Sequence, residues 1–139
     1  TGFTLVEALV AMAIFSIGFS GLYFFYGYSQ QAMEDVEKRM YLNLLGDRII
    51  QTIAAEGQWS TADATYTGSL ADSSYCSKSP THAEWCEYLN KNVGPSEGLD
   101  PLSRRVDVKK DGTNLVIDVS LKSPDGKVGA YISRKLRQL

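Results

Sequence analysis

The residues that could do chemistry are few and scattered. His82 is the only histidine, and neither a serine or cysteine nucleophile motif nor a carboxylate pair at a defined spacing accompanies it. The cysteines, Cys76 and Cys86, lack the second Cys-x-x-Cys pair that would complete a zinc site. We therefore predict no enzymatic activity, no catalytic residue, no cofactor and no metal, and we expect His82 to face solvent in the first turn of a helix.

Glu7 is the one residue that requires a special explanation. It is the only formal charge in an apolar segment of 26 residues, Phe3 to Tyr28. As a helix this segment would be about 39 Å long, which is enough to cross a hydrocarbon core of roughly 30 Å. A carboxylate is costly in hydrocarbon and usually indicates a functional site. The sequence therefore predicts a membrane helix that carries a functional carboxylate.

Two simpler interpretations of Glu7 exist. A carboxylate near a helix N-terminus is favoured by the helix dipole, and a side chain near the membrane surface can reach the headgroups.

The apolar segment differs from a cleaved signal peptide. It exceeds the length of a signal-peptide apolar region, and no basic residue precedes it. We therefore expect the segment to be retained.

The motif Gly2-Phe3-Thr4-Leu5-Val6-Glu7, followed directly by an apolar helix, resembles the N-terminus of type IV pilins and of the pseudopilins of type II secretion. The resemblance implies that a prepilin peptidase cleaves after Gly2 and N-methylates Phe3. It also implies that Glu7 serves subunit assembly, by pairing with the terminal ammonium of Phe3 in a neighbouring subunit.

The resemblance also divides the chain. It implies a leader remnant at residues 1–2, a transmembrane and filament-core half of the helix at residues 3–28, and a periplasmic globular domain at residues 29–139. The chain would first lie in the inner membrane of a Gram-negative bacterium as a single-pass protein, surrounded by lipid, and then enter an extracellular pilus. Five aromatic residues between Tyr23 and Tyr28 are typical of a helix leaving a membrane.

The second half of the helix is amphipathic. No proline occurs before Pro80, so we expect one helix from Phe3 to about Glu56, with Gly57 just past its end. Apolar residues recur at spacings of three and four and are expected to cover the domain, namely Met33, Val36, Met40, Tyr41, Leu44, Leu45, Ile49 and Ile53.

The middle of the chain is predicted to be a surface connection followed by a short helix. Residues 58–80 are rich in small and polar residues and show no period. Thr81 and Glu84 have the spacing of a capping box and predict a helix that ends near Asn92. In an exported domain Cys76 and Cys86 would form a disulfide. The loop-entropy model gives such a bond a stabilisation of about 3 kcal/mol.

Three alternating segments, 104–110, 114–122 and 128–134, are separated by Asp111-Gly112 and Pro124-Asp125-Gly126 and predict an antiparallel meander. With the long helix they give an α+β fold that resembles the pilin fold. One face of the sheet would pack on the helix through Val106, Val108, Leu115, Ile117, Val119, Leu121, Val128, Ala130 and Ile132.

Within this family the chain is most similar to PilV-type minor pilins. The similarity lies in the stretch from Ala83 to Leu89, in Gly94 to Gly98, and in the run from Ile17 to Leu22. It implies a structural subunit that primes pilus assembly or occupies the tip. Its partners would be other minor pilins, the major pilin, the prepilin peptidase and the inner-membrane assembly platform.

Two other functions remain open. A minor pseudopilin of type II secretion would share the N-terminal motif. A DNA-binding competence pilin would use the C-terminal portion, where residues 101–139 carry nine basic and four acidic side chains. The basic residues proposed for DNA are Arg104, Arg105, Lys109, Lys110, Arg134, Lys135 and Arg137.

Overall fold

The computed structural model describes residues 2–56 and 59–137. The helices are α1 (Leu5–Ala55), α2 (Ala62–Tyr66), α3 (Ser73–Cys76) and α4 (Pro80–Asn92), and the strands are β1 (Gly68–Ser69), β2 (Arg104–Asp111), β3 (Asn114–Lys122) and β4 (Gly129–Arg137). The strands form one antiparallel sheet in the order β1-β2-β3-β4. The predicted α+β fold, a long N-terminal helix packed on a C-terminal meander, is confirmed and is consistent with the pilin fold.

The predicted long helix is also confirmed, because α1 is continuous for 51 residues. Gly57, which was expected to follow its end, lies outside the described residues. The chain forms two compact units, one up to Val36 and the other from Glu37 onward. In the second unit, α1 contributes the largest helical share of the core, through Leu42, Leu45, Ile49, Ile50 and Ile53.

The predicted apolar stripe of α1 is wrong in part. Leu45, Ile49 and Ile53 are buried, but Met40 and Leu44 are 58% and 59% exposed. At about 100° per residue, Met40 and Leu44 lie across the helix from Leu42. Met33 and Val36, which belong to the first unit, are also exposed. Spacings of three and four therefore combined two opposite faces into one stripe.

The sheet follows the alternation of the sequence. Its core face is buried at Val106, Val108, Leu115, Ile117, Val119 and Leu121, and Val128 is buried just before β4 begins. Ala130 and Ile132 pack against this core while partly exposed. The connecting turns place Gly112 and Gly126 at φ of 62° and 71°, values that favour glycine.

The prediction that residues 58–80 form only a surface connection is wrong. This stretch contains α2, β1 and α3, and it buries Ala62, Tyr66, Leu70 and Tyr75. Gly68 allows this packing, since a Cβ there would lie 2.2 Å from a ring carbon of Tyr75. These few large side chains are irregularly spaced among small residues, so no period marked them as core.

Helix α4 begins at a different cap from the one predicted. Ser79 is the N-cap, and its side chain accepts a hydrogen bond from the backbone N–H of His82. Pro80 occupies the first turn, where its fixed φ suits a helix start. Thr81 is therefore inside the helix, and the Glu84 carboxylate accepts a hydrogen bond from Arg48 at 2.5 Å instead of closing a capping box.

Arg104 is one of the basic residues proposed for DNA, and for this residue the prediction is wrong because its side chain is buried on the core face of β2. Its guanidinium donates to the carbonyls of Lys122 at 3.1 Å and Gly94 at 2.9 Å. It also reaches the Asn90 side-chain oxygen at 3.5 Å. Since Gly94 follows α4 closely, Arg104 joins the end of that helix to the sheet, where the helix dipole favours a cation.

We predict that Arg104→Ala lowers the free energy of unfolding by on the order of 3 kcal/mol, because it removes a large buried side chain and takes the donor from two partly buried carbonyl oxygens. Denaturant unfolding of the full chain in detergent, followed by tryptophan fluorescence, measures the change. Arg105→Ala is the matched control, since its partly exposed side chain pairs with Asp107 on the other face of β2. An equal loss in both variants would contradict the role of Arg104.

Candidate functional site

Glu7 lies in the first turn of α1. Its backbone N–H donates to the Thr4 carbonyl at 3.1 Å and lies 3.4 Å from the Thr4 hydroxyl oxygen. The hydroxyl of Thr4 therefore stands at the cap position of the helix. Within residues 2–56 and 59–137, the carboxylate of Glu7 has no hydrogen-bond or ion-pair partner. The carboxylate is thus available to a group outside this unit.

The segment around Glu7 exposes apolar side chains along its whole length. Helix α1 contains a window of 18 residues with mean hydropathy 2.0 of which none is buried, so it is long and apolar enough to cross a membrane. The hydroxyls of Ser16 and Ser20 donate to carbonyls one turn earlier, both at 2.8 Å. These bonds satisfy the hydroxyls inside the helix, as an apolar environment requires.

In the second unit, Cys76 and Cys86 are joined by a disulfide, with an S–S distance of 2.02 Å. The bond links α3 to α4. Both sulfur atoms lie 3.6 Å from the carbonyl oxygen of Leu70. The disulfide therefore fixes the irregular segment before α4 to α4 itself. It also borders an open groove of about 880 Å³.

His82 is buried, so the prediction that it faces solvent is wrong. Its ring lies among three aromatic rings, 4.5 Å from Tyr75, 5.4 Å from Trp85 and 5.8 Å from Tyr66 between centroids. Nδ1 contacts the hydroxyl of Ser79, whereas Nε2 has no hydrogen-bond partner in the described part of the chain. The shift of the N-cap to Ser79 turns this side chain inward.

The surroundings of His82 disfavour its protonation. Burial is the main cause that lowers the pKa of His82. The Thr65 backbone and Glu56 oppose this shift, and Lys78 reinforces it. His82 is therefore an uncharged member of the aromatic core at neutral pH.

The basic residues proposed for DNA do not remain free as a set. Arg105 pairs with Asp107, Arg134 with Asp47 and Lys135 with Asp111, at 2.8, 3.7 and 3.0 Å. Arg104 is buried. Among the described residues, the members of the set without an ion pair are Lys109, Lys110 and Arg137.

Residues 1–23 match the family model described as the prokaryotic N-terminal methylation motif. The match covers Gly2, Phe3 and Glu7 and supports a type IV pilin or pseudopilin. It suggests a structural protein that is processed by a prepilin peptidase and assembles with pilus components, and with α1 it fits membrane anchoring of a periplasmic domain. No curated protein and no solved structure matches the chain significantly.

The methylation motif could be found from sequence because its residues are adjacent. Thr1 lies outside the described residues. The roles predicted for Gly2, Phe3 and Glu7 rest on the motif. The structure adds that the helix around them is exposed. The aromatic enclosure of His82 had no sequence signal, since α2 and α3 bring Tyr66 and Tyr75 to it from another part of the chain.

We predict that the domain loses stability as the pH falls from 7 to 5. An unfolded chain protonates His82 near pH 6.5, whereas the lowered pKa keeps the folded side chain neutral to lower pH, so the unfolded state binds the proton first. One such group contributes a slope of at most about 1.4 kcal/mol per pH unit. Denaturant unfolding of the full chain in detergent at several pH values, followed by tryptophan fluorescence, measures this slope.

His82→Gln is the variant that tests the assignment, because a glutamine does not titrate. Its free energy of unfolding should fall less steeply between pH 7 and 5 than that of the parent, whatever its absolute stability. His82 is the only histidine, so an unchanged slope in the variant would show that other groups cause the pH dependence.

Proposed function

We propose that the chain is a minor type IV pilin of the PilV type, a structural subunit that primes pilus assembly or occupies the pilus tip. The observation that carries the proposal is the first part of α1. It begins in a methylation motif with the lone carboxylate Glu7, and its apolar side chains are exposed. Such a helix requires either lipid or other helices around it. A pilus subunit meets both environments in turn.

The proposed cycle begins in the inner membrane. The prepilin peptidase cleaves after Gly2 and methylates Phe3, which becomes the new N-terminus. Residues 3–28 then anchor the chain in lipid, and residues 29–139 form the periplasmic domain. In this state the only cation within about a turn of the Glu7 carboxylate is the ammonium of Phe3 in the same chain, which is poorly placed to pair with it, so the carboxylate is costly unless protonated or hydrated.

Assembly would remove that cost. The methylated ammonium of Phe3 in an adjacent subunit would pair with Glu7, so that two groups that are unfavourable alone in an apolar core satisfy each other. The pair would also set the axial position of neighbouring helices. The other minor pilins, the major pilin and the inner-membrane assembly platform are the partners of this step.

The domain would meet its neighbours after export to an oxidising compartment. The disulfide between Cys76 and Cys86 suits that location. DNA as an additional ligand has less support, because Arg104 is buried and three other members of the basic set are paired with carboxylates.

A minor pseudopilin of type II secretion is the second candidate. The matched motif favours this candidate as much as it favours a minor pilin, since prepilin peptidase processing and helix assembly are common to both classes. The two differ in the system that fails when the protein is absent.

We predict that Glu7→Ala in the sole copy of the gene lowers incorporation into pili at least ten-fold while the protein still reaches the membrane. The reason is that the neighbouring ammonium loses its partner in an apolar core. Immunodetection in sheared pili and in membranes measures the distribution. Glu7→Gln should behave like Glu7→Ala if the charge is required.

Glu34→Ala is the matched control, because Glu34 is an exposed carboxylate on the same helix. It should incorporate as the parent does. Normal piliation with Glu7→Ala would refute the assembly role of Glu7.

Deletion of the gene should distinguish the two candidates. A minor pilin predicts loss or strong reduction of surface pili and of twitching motility, with exoprotein secretion unchanged, because only the pilus lacks its priming subunit. Pilus counts and a secretion assay on the same strain measure both. Abolished secretion with normal pili would establish the pseudopilin instead.

A further inference from the structure

An open groove of about 880 Å³ lies along one face of α4. Ala83, Glu87 and Asn90 of α4 line it, and so do Pro95 and Glu97 of the loop that follows this helix. The described lining residues include both carboxylates but no lysine or arginine. Neither carboxylate has an ion pair within the described part of the chain. The groove therefore carries negative charge that no neighbouring cation of this chain neutralises.

The surface around the groove is also acidic. Residues 71–100 carry five acidic and two basic side chains. Of the two bases, Lys78 donates to the carbonyls of Ala64 and Thr65 at 2.7 and 3.1 Å, and Lys91 lies outside the groove lining. A cationic surface is therefore the partner that this region favours.

Strand β4 supplies such a surface. Its three charged residues are all basic, namely Arg134, Lys135 and Arg137. Lys135 is held by Asp111 at 3.0 Å, but Arg137 has no ion pair among the described residues. Arg134 reaches Asp47 through a single nitrogen at 3.7 Å and is 60% exposed, so its guanidinium keeps N–H donors for a second acceptor.

The groove and β4 belong to opposite flanks of α1 within the second unit. Tyr41 and Arg48 contact α4, whereas Gly46 and Asp47 lie against β4. At about 100° per residue, these two pairs point roughly half a turn apart around α1. The α4 residues that contact α1 do not line the groove, which opens on another face of α4. One copy therefore cannot bring its own β4 cations to its own groove.

The two charged flanks lie at similar heights along α1. Arg134 lies beside Asp47, and Glu87 lies in the stretch of α4 that runs from Arg48 to Tyr41 along α1. At 1.5 Å per residue, the heights of Arg134 and Glu87 differ by at most about 9 Å. A long arginine and a glutamate can span that difference together. Two copies placed side by side need no large axial shift to bring these charges into contact.

We propose that the acidic groove beside α4 receives Arg134 and Arg137 of β4 from a second copy of this chain, whose α1 runs parallel to the first. This inference goes beyond the proposed pilus function and does not depend on Glu7. The contact is heterologous, because it joins two different flanks. Both copies keep the same direction, as two chains anchored in one membrane must. Each pair leaves one groove and one β4 flank free, so the contact can be repeated.

An anionic polymer such as DNA is a less suitable partner. It could meet the β4 cations, but the groove would repel it, since Glu87 and Glu97 line that surface. A second copy satisfies both flanks with the same contact. It also needs no charge from Lys135, which stays with Asp111.

The geometry can be tested in the membrane with full-length chains that carry two different tags. Ser96→Cys places a thiol in the groove lining, and Ser133→Cys places one on β4 beside Arg134. A bismaleimide with a flexible spacer should join the two tags when both variants are present. Each variant alone should give at least ten-fold less dimer, because like positions lie on opposite flanks. The native cysteines do not compete, since they are joined to each other.

Thr113→Cys is the matched control for Ser133→Cys. Thr113 is exposed in the turn between β2 and β3, at the end of the sheet away from Ser133. With Ser96→Cys it should give at least ten-fold less product than Ser133→Cys does. Equal products from the two positions, or self-linked dimers as abundant as the mixed one, would overturn the heterologous arrangement.

The charges have their own test, in the same cross-linking assay. Glu87→Lys combined with Glu97→Lys, and separately Arg137→Glu, should each lower the mixed product at least about five-fold, because like charges then meet across the contact. Lys110→Glu is the charge-matched control, since Lys110 is exposed without an ion pair on β2, two strands from β4. It should leave the product unchanged.

Each other outcome of the charge test contradicts the proposal. An equal loss with Lys110→Glu would show that net charge alone governs the association. A loss with Arg137→Glu but not with the groove variant would indicate that the β4 cations serve an anionic ligand. A loss with the groove variant alone would indicate that the groove receives a different protein.

Discussion

The packing of α1 against the sheet is the interaction on which the globular unit depends. Leu42, Leu45, Ile49 and Ile53 are at most 2% exposed and belong to the same core cluster as the buried residues of β2 and β3. Burial of a large aliphatic side chain contributes about 1.5–3 kcal/mol, so this face is a major source of stability. Gly46 lets the side chain of Ile132 in β4 pack against the helix backbone, since a Cβ at Gly46 would lie 2.6 Å from the Ile132 Cδ1 atom.

Arg104, the disulfide and His82 connect the irregular segments to this core. Arg104 joins the region after α4 to β2 and β3, and the disulfide joins α3 to α4. His82 extends the aromatic packing of Tyr66, Tyr75 and Trp85. The first part of α1 lies outside the globular unit, so few residues are left to form a core. The cross-links compensate for the small apolar area that this core buries.

Prediction from sequence succeeded where the relevant residues are close in the chain. The alternation in 114–122 set the limits of β3, and glycines in turns marked the hairpins. It failed where distant segments decide the environment. Arg104 looked like a surface cation because its carbonyl partners, on Lys122 and Gly94, come from elsewhere. Thr81 is a local exception, since Ser79 followed by Pro80 is a competing helix start directly before it.

The sequence by itself determined the apolar helix, the lone carboxylate Glu7 in the methylation motif, and the strands of the meander. These are properties of adjacent residues, since helix and strand periods and a peptidase motif are read along the chain. Only the tertiary structure decided which face of α1 is buried, that His82 and Arg104 are internal, and that β4 is an edge. Burial depends on which segments meet, and the free energy of a polar side chain depends on the partners that it finds there.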